Sequence, residues 1–151
     1  MSIPIYIYRI GNKLHKRGLK KTAKLISFIN RILFSVWLPS SANIGENFVV
    51  GYWGLGIVIH SNTIIGKNVT IAQNVTIGRN FGDKGVPIIG DDVYIGTGTV
   101  IFGEIEIGNN VIIGSNSLIN RSIPDNCTVV GNPMKIIKTD RREKYYEIDK
   151  K

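Results

Sequence analysis

Two histidines, His15 and His60, carry the only imidazole groups among the 151 residues of the chain. Imidazole is the side chain best suited to take a proton from a hydroxyl near neutral pH, because its reference pKa is about 6.5. His15 lies in a basic stretch, residues 13–17, which is typical of a solvated helix face. His60 follows Ile59 in a regular aliphatic pattern, so we predict His60 as a general base, with a purely local corner residue as the alternative.

An acid that would orient this base is harder to find. The regular pattern lapses over residues 79–87, which predicts a loop, and binding residues concentrate on such loops. Asp83 in this loop is the candidate orienting acid, and Lys84 beside it could offer a point charge to a substrate. A plain surface loop without a binding role is the alternative.

The remaining candidates suggest binding rather than covalent chemistry. Tyr52 and Trp53 could form a stacking floor for a substrate ring, which suits amphipathic aromatic side chains. Asn74 could orient a hydroxyl acceptor, with a corner residue as the alternative. Cys127 is not expected to act as a nucleophile because no histidine is near it in sequence. No metal is expected, since a three-histidine site needs more imidazoles than the chain has.

An aliphatic residue returns every six positions through the middle of the chain, and this period predicts the fold. The phased residues are Ile44, Val50, Ile59, Ile65, Ile71, Ile77, Ile89, Ile95, Ile101, Ile107, Ile113 and Ile119. Three positions after most of them stands Asn or Asp, which tolerates the left-handed backbone of a sharp corner. A helix of period 3.6 cannot produce this phasing, whereas three such units form one coil of a parallel β-helix.

The net charge of +8 belongs to the ends of the chain. Residues 1–40 carry eight bases and no acid, residues 41–133 four bases and seven acids, and residues 134–151 seven bases and four acids. A mildly acidic solenoid argues against a nucleic-acid partner. The single cysteine, the lack of a long apolar stretch and the lack of a signal-peptide pattern predict a cytoplasmic protein.

We expect three regions: a basic helical segment over residues 1–40, the solenoid over 41–138, and a charged tail over 139–151 that is helical or loose. The first region should form two helices separated at Gly18, the second of them over about residues 19–37. One face of the second helix is apolar and consists of Leu25, Phe28, Ile29, Ile32, Leu33 and Val36. We expect this face to pack on the first coil and cap it. Attachment of the basic segment to an anionic membrane surface is a compatible alternative.

Four segments carry a resemblance to a known family. They are residues 56–59 (GIVI), 73–78 (QNVTIG), 95–99 (IGTGT) and 131–137 (GNPMKII). Over about residues 38–138 the chain resembles the hexapeptide-repeat acyltransferases, and most of all the serine acetyltransferases and the related enzymes that O-acetylate surface polysaccharides. The resemblance implies a left-handed β-helix, a homotrimer with active sites between subunits, and acetyl-CoA as the donor.

The resemblance also implies where CoA binds. Backbone amides at Thr97 and Ser115 should line the CoA arm, and Lys135 or Lys138 should lie near the nucleotide phosphates.

The position of His60 relative to this CoA site follows from the repeat. Eighteen residues per coil put Gly78 and Gly96 in the same corner column as His60. We therefore expect His60 about two strand spacings, or roughly 10 Å, from Thr97.

Three departures separate the chain from the serine enzymes it resembles. Only about 40 residues stand where the family has a long helical N-terminal domain. Trp53 and Tyr52 occupy the positions that match the main catalytic histidine and an acid. Val86 and Gly85 match a second histidine and a substrate-binding arginine, and without that arginine nothing obvious grips an amino-acid carboxylate.

Together these features predict a mainly β protein, a left-handed parallel β-helix with a short helical N-terminal segment. Its predicted function is the transfer of acetyl from acetyl-CoA to a sugar hydroxyl during surface polysaccharide assembly. The alternatives are serine O-acetyl transfer and a catalytically inactive trimeric scaffold.

Overall fold

A parallel β-helix of about four turns forms the body of the protein, as seen in a computed structural model that describes residues 1–82 and 84–148. The strands are β1 Asn43–Ile44, β2 Val49–Val50, β3 Val58–Ile59, β4 Ile64–Ile65, β5 Thr70–Ile71, β6 Thr76–Gly78, β7 Ile88–Ile89, β8 Tyr94–Ile95, β9 Val100–Phe102, β10 Glu106–Ile107, β11 Ile112–Ile113, β12 Leu118–Ile119, β13 Thr128–Val130 and β14 Lys135–Lys138. The predicted fold class is confirmed.

The strands form three sheets, one on each side of the coil. Sheet S1 has the order β1-β4-β7-β10, sheet S2 the order β14-β13-β11-β8-β5-β2, and sheet S3 the order β12-β9-β6-β3. All pairs are parallel except β13 with β14, which is antiparallel. The chain visits S1, S2 and S3 in turn, so the coil has three edges, which we call S1–S2, S2–S3 and S3–S1.

The six-residue repeat makes the core because each phased aliphatic side chain points into the coil. All of the phased residues are buried, from Ile44 to Ile119. The corners are turned by residues with positive φ, as the pattern predicts: Asn47, Asn68, Asn74, Asp92, Asn110 and Asn116. Stacked isoleucines therefore bury the apolar surface that successive coils share.

The irregular segment after β6 changes the length of one coil. Ile77 pairs with Ile59, 18 residues earlier, but its partner on the other side is Ile101, 24 residues later. Ile89 begins the next coil by pairing with Ile65 in S1. Residues 79–82 and 84–87 thus lie in a loop at the S3–S1 edge, and every later residue is shifted by one repeat relative to an unbroken 18-residue count.

Two helices precede the solenoid: α1 Ile3–Lys16 and α2 Lys20–Phe34. The second ends earlier than Trp37, where the sequence predicts its end, because Ser35 adopts a left-handed conformation. Trp37 instead pairs with Val58 as the outermost rung of S3. No helix among the described residues has the length and apolar character that a membrane crossing requires.

The helical pair covers the first coil, but not through the predicted face. Tyr8 donates a hydrogen bond from its hydroxyl to the Ala42 carbonyl, and Asn12 donates to the Ser40 and Ala42 carbonyls. The predicted apolar residues of α2 are exposed, namely Leu25, Phe28, Ile29, Ile32 and Leu33. Our expectation about that face is therefore wrong for most of α2: Phe28 contacts Trp37 with ring centroids 5.3 Å apart, but among the predicted residues only Val36, beyond the helix end, is buried.

The C-terminal tail crosses the outside of S2. Its short helix, α3 Tyr145–Ile148, places the Tyr145 hydroxyl 2.8 Å from Thr70 Oγ1 and its ring 5.6 Å from that of Tyr94. The tail is thus docked up to Ile148 rather than loose, and the rest of the predicted tail lies outside the described residues.

Candidate active site at the S2–S3 edge

One edge of the coil gathers most of the predicted binding residues. The residues that follow the S2 strands stack in register there: Gly51, Ala72, Gly96, Gly114 and Val130, with Lys135 opposite Val130. Tyr52 and Trp53 lie at the first coil of this edge, Asn74 at the second, Thr97 at the third and Ser115 at the fourth. Neighbouring coils are about 4.8 Å apart, so the whole edge forms one continuous track.

Tyr52 and Trp53 form the first-coil end of the track. Both have left-handed backbones, with φ of 47° and 58°, and their side chains are 76% and 55% exposed. A bulky residue in this conformation is strained, and such strain is retained mostly at functional sites. The Trp53 ring contacts Phe34 with centroids 5.6 Å apart. Both aromatic side chains are therefore exposed at the first-coil end of the edge, and Trp53 is supported on one side by Phe34.

Asn74 lies directly beside this aromatic turn. Its backbone N–H donates to the Leu55 carbonyl at 2.9 Å, and its side chain is exposed. A Cβ on Gly56 would lie 2.0 Å from Asn74 Oδ1, and Gly56 has a φ of +68°. Glycine at position 56 is thus what allows the Asn74 amide to sit against the turn.

Thr97 and Ser115 offer backbone donors in the next two coils. Among the hydrogen bonds of the described residues, neither of their amide N–H groups has an acceptor, although Thr97 Oγ1 donates to the Gln73 carbonyl at 3.0 Å. A Cβ on Gly96 would meet the Ser115 nitrogen at 2.5 Å, so these backbones approach closely. Two unpaired donors on one edge suit the carbonyl groups of an extended ligand.

Lys135 and Lys138, the two lysines that we predict to lie near the CoA phosphates, are at opposite ends of β14. Lys135 pairs with Val130 and so lies at the far end of the S2–S3 track. Lys138 pairs with Thr128 at the other end of the same strands, toward the S1–S2 edge. It lines a groove there with Arg141 and Arg142. Only Lys135 continues the line of Thr97 and Ser115.

His60 lies on a different edge from the track. Its column at S3–S1 continues with Gly78 and then Phe102, because Gly78 pairs with Phe102 rather than with Gly96. The expected column of His60, Gly78 and Gly96 is therefore wrong, and the cause is the loop that shifts the repeat. The loop residue Lys84 is exposed near the same edge. Asp83 lies outside the described residues.

The ring of His60 makes one local hydrogen bond. The Asn62 backbone N–H donates to His60 Nδ1 at 3.2 Å, which assigns the proton of the neutral ring to Nε2. Nε2 can accept a proton only after this contact opens and the ring changes tautomer. The base role of His60 stays a prediction.

The docked tail is what the sequence analysis missed. Lys144 Nζ lies 2.9 Å from Asp92 Oδ2, and the Tyr146 hydroxyl donates to Asp92 Oδ1 at 3.0 Å. Burial raises the pKa of the Tyr145 hydroxyl. The only signal in the sequence was a pair of tyrosines in a charged segment, which does not identify a docking face.

Comparison with known proteins finds similarity to one group of enzymes. A family model described as bacterial transferase hexapeptide (six repeats) matches residues 87–121. Serine acetyltransferase of Bacillus pumilus is 37% identical over 135 residues, which is 88% of this chain and 62% of that protein. Serine acetyltransferase of Staphylococcus epidermidis is 39% identical over 140 residues, which is 91% of this chain and 65% of that protein.

Solved structures agree with these relatives. Serine acetyltransferase of Neisseria gonorrhoeae superposes with a TM-score of 0.86 at 29% identity, over 98% of this chain and 57% of that one. Serine acetyltransferase of Brucella abortus in complex with coenzyme A gives a TM-score of 0.85 at 29% identity, over 90% and 55%. The chain therefore spans less than two thirds of the length of the relatives it matches.

The chain carries a hexapeptide-transferase repeat. Its similarity in sequence and fold to serine acetyltransferases is consistent with the serine acetyltransferase-like branch of the hexapeptide-repeat acyltransferases. The predicted action on a surface polysaccharide is wrong, because the curated relatives and the solved neighbours are serine acetyltransferases. The prediction rested on a few single positions such as Trp53 and Gly85, whereas the similarity extends over about nine tenths of the chain.

Proposed function

We propose that the protein transfers the acetyl group of acetyl-CoA to the hydroxyl of serine. One observation supports the proposal most directly. The unpaired N–H groups of Thr97 and Ser115, the Lys135 side chain and the exposed turn of Tyr52 and Trp53 lie along one edge of the coil, S2–S3. The relatives supply the substrate class, since they are named serine acetyltransferases. One of their structures is a complex with serine.

The donor would lie along the third and fourth coils. The amide N–H groups of Thr97 and Ser115 would donate to the carbonyl groups of the pantetheine arm, and Lys135 would meet a phosphate. The thioester would then lie near Asn74, one coil from Thr97.

The acceptor would bind at the first-coil end, between the Asn74 amide and the exposed Trp53. In the transfer step the serine oxygen forms a bond to the acetyl carbon and the carbon–sulfur bond breaks. The hydroxyl proton passes to a base, and the departing CoA thiolate is protonated. Donors that hold the developing oxyanion would lower the barrier further.

His60 can serve this edge only from another subunit. Within one subunit it lies on the S3–S1 edge, so we propose a homotrimer in which that edge faces the S2–S3 edge of a neighbour. The loop with Lys84 would then also lie over the neighbouring acceptor site.

The test is acetyl-CoA turnover, measured as release of the free CoA thiol, with L-serine, L-threonine, L-homoserine and a panel of sugars as acceptors. We expect thiol release that depends on serine, and O-acetylserine in the mass spectrum. Release that depends on a sugar and not on serine would overturn the proposal.

An inactive trimeric scaffold is the second candidate. It is favoured by Trp53 and Tyr52, which stand where the family resemblance places the main catalytic histidine and an acid. Such a protein would bind CoA in calorimetry and release no thiol with any acceptor, whereas the enzyme would do both.

A further inference from the structure

Helix α2 packs on the rest of the protein with its small and polar side chains facing inward. Ala23, Ser27 and Asn30 are buried, while five of the large apolar side chains of the helix are exposed. Of these five, Phe28 also contacts Trp37, with ring centroids 5.3 Å apart. Ser27 Oγ lies 2.8 Å from Ser40 Oγ, and Asn30 donates to the Pro4 carbonyl at 3.0 Å. These buried hydrogen bonds specify the orientation, because turning the helix would leave them unmade.

The outward face of α2 is an apolar stripe. Ile32, Leu33 and Leu25 are 79%, 62% and 60% exposed. Phe28 and Ile29 are also exposed, so the stripe runs along most of the helix. A contiguous apolar patch of this kind is typical of an interaction surface rather than of ordinary solvent-exposed surface.

Basic residues border this stripe. Lys24 Nζ lies 6.0 Å from the centre of the Phe28 ring, and the Arg31 guanidinium lies 5.8 Å from the centre of the Trp37 ring. Lys20 and Lys21 stand at the start of the helix, and residues 1–40 contain no acid at all. The apolar stripe is thus surrounded by side chains that carry only positive charge.

The charge decides between the possible occupants. A second copy packed face to face would bring two acid-free basic surfaces together, and like charges repel. An anionic lipid surface offers acyl chains to the stripe and negative headgroups to the lysines. Helices with an apolar face bordered by Lys and Arg bind in this way, lying in the plane of the membrane interface.

We propose that the outward face of α2 docks the protein on an anionic membrane surface. Leu25, Ile29 and Ile32 enter the boundary between headgroups and acyl chains, and the flanking Lys21, Lys24 and Arg31 meet the lipid charges. The S2–S3 edge meets α2 at its first coil, where the Trp53 ring contacts Phe34.

The test is flotation of the full chain with vesicles of phosphatidylcholine alone and with vesicles in which a third of the lipid is phosphatidylglycerol. We expect binding only to the anionic vesicles, weakened by added salt. The double variants Leu25→Gln/Ile32→Gln and Lys21→Glu/Lys24→Glu should each reduce the bound fraction about tenfold or more. These side chains are exposed, so the variants should fold; thermal unfolding checks this.

Matched control variants lie at the other end of the protein. Ile148→Gln and Arg142→Glu change exposed residues far along the chain and should bind like the parent. Absence of binding to anionic vesicles overturns the proposal, as does binding that the helix variants leave unchanged. Loss of oligomer mass in light scattering with Leu25→Gln/Ile32→Gln also overturns it, since the stripe would then be covered by a second copy.

Discussion

Lys144 Nζ lies 2.9 Å from Asp92 Oδ2, so a residue of the C-terminal tail is tied to a corner of the third coil. The same carboxylate accepts hydrogen bonds from the Asn68 amide and the Tyr146 hydroxyl. Burial by itself raises the pKa of Asp92, but these bonds and the charge of Lys144 outweigh it and lower the pKa overall. The tail is therefore held by an ionised group.

Acid should weaken this attachment. Because the folded pKa of Asp92 is below the ordinary value of 3.8, its stabilisation is present above that value and lost as the pH falls through the folded pKa. Asp92→Asn should lower the free energy of unfolding by about 1 kcal/mol or less near pH 7 and reduce its dependence on acid pH. Urea unfolding at several pH values measures both.

Asp91→Asn is the matched control for this prediction. Asp91 Oδ1 accepts a hydrogen bond from the Lys67 backbone N–H, which an asparagine oxygen can also accept. Its ion pair with Lys67 is exposed at 3.9 Å, so its replacement should change the unfolding free energy less. An equal loss of unfolding free energy in the two variants would show that the Asp92 contact stabilises the protein no more than the exposed Asp91 pair does.

The two lysines near the end of the solenoid should differ in CoA binding. Lys135 lies on the S2–S3 track and Lys138 does not, so Lys135→Glu should weaken CoA binding roughly tenfold, or about 1.4 kcal/mol. The loss should shrink at high salt because the contact is charge-driven. Calorimetry at two salt concentrations measures it, with Lys138→Glu as the matched control. If only Lys138→Glu weakens CoA binding, CoA does not bind along the S2–S3 edge.

Gly96 should tolerate no side chain. A Cβ there would lie 2.5 Å from the Ser115 backbone nitrogen, and neither strand can shift without disturbing the coil. We expect Gly96→Ala to lower the free energy of unfolding by about 1–3 kcal/mol and to weaken CoA binding. At Gly78, a Cβ would have nothing within 4 Å, so Gly78→Ala should stay within about 0.5 kcal/mol of the parent. Similar unfolding curves for both variants would contradict the close approach at this edge.

The base role of His60 can be tested apart from folding. His60→Ala and His60→Asn should both reduce acetyl transfer by about 10²–10⁴-fold, while CoA binding and oligomer mass stay unchanged. His15→Ala is the control and should keep full activity, because His15 lies on the helical pair. Near-full turnover by His60→Ala would show that His60 is only a corner residue.

A shared active site predicts complementation. If His60 serves the S2–S3 edge of a neighbour, a trimer formed from His60→Ala and Lys135→Glu chains contains some intact sites. Co-expression of the two should therefore restore part of the turnover that each variant loses alone. No recovery in mixed trimers would place the whole site within one subunit.

The period of the sequence was enough to predict the β-helix and the stacking of most residues on its S2–S3 edge. Each coil needs inward-facing aliphatic residues such as Ile95 and corner residues such as Asn116. Both requirements are local and recur with every repeat, so the sequence pattern contains them. Thr97 and Ser115 could be placed on one edge from sequence because only one regular coil separates them.

Three features were decided only by the tertiary structure. The lapse after Gly78 predicts a loop, but the six-residue phase resumes in step beyond it and does not show that the loop takes up a whole repeat. His60 therefore lies on another edge than Gly96. Helix α2 faces outward with its apolar side because hydrogen bonds of Ser27 and Asn30 hold its polar side inward. The antiparallel pairing of β14 with β13 decides that Lys135, and not Lys138, lies at the S2–S3 edge. In each case the outcome depends on contacts between distant parts of the chain, which a local pattern does not contain.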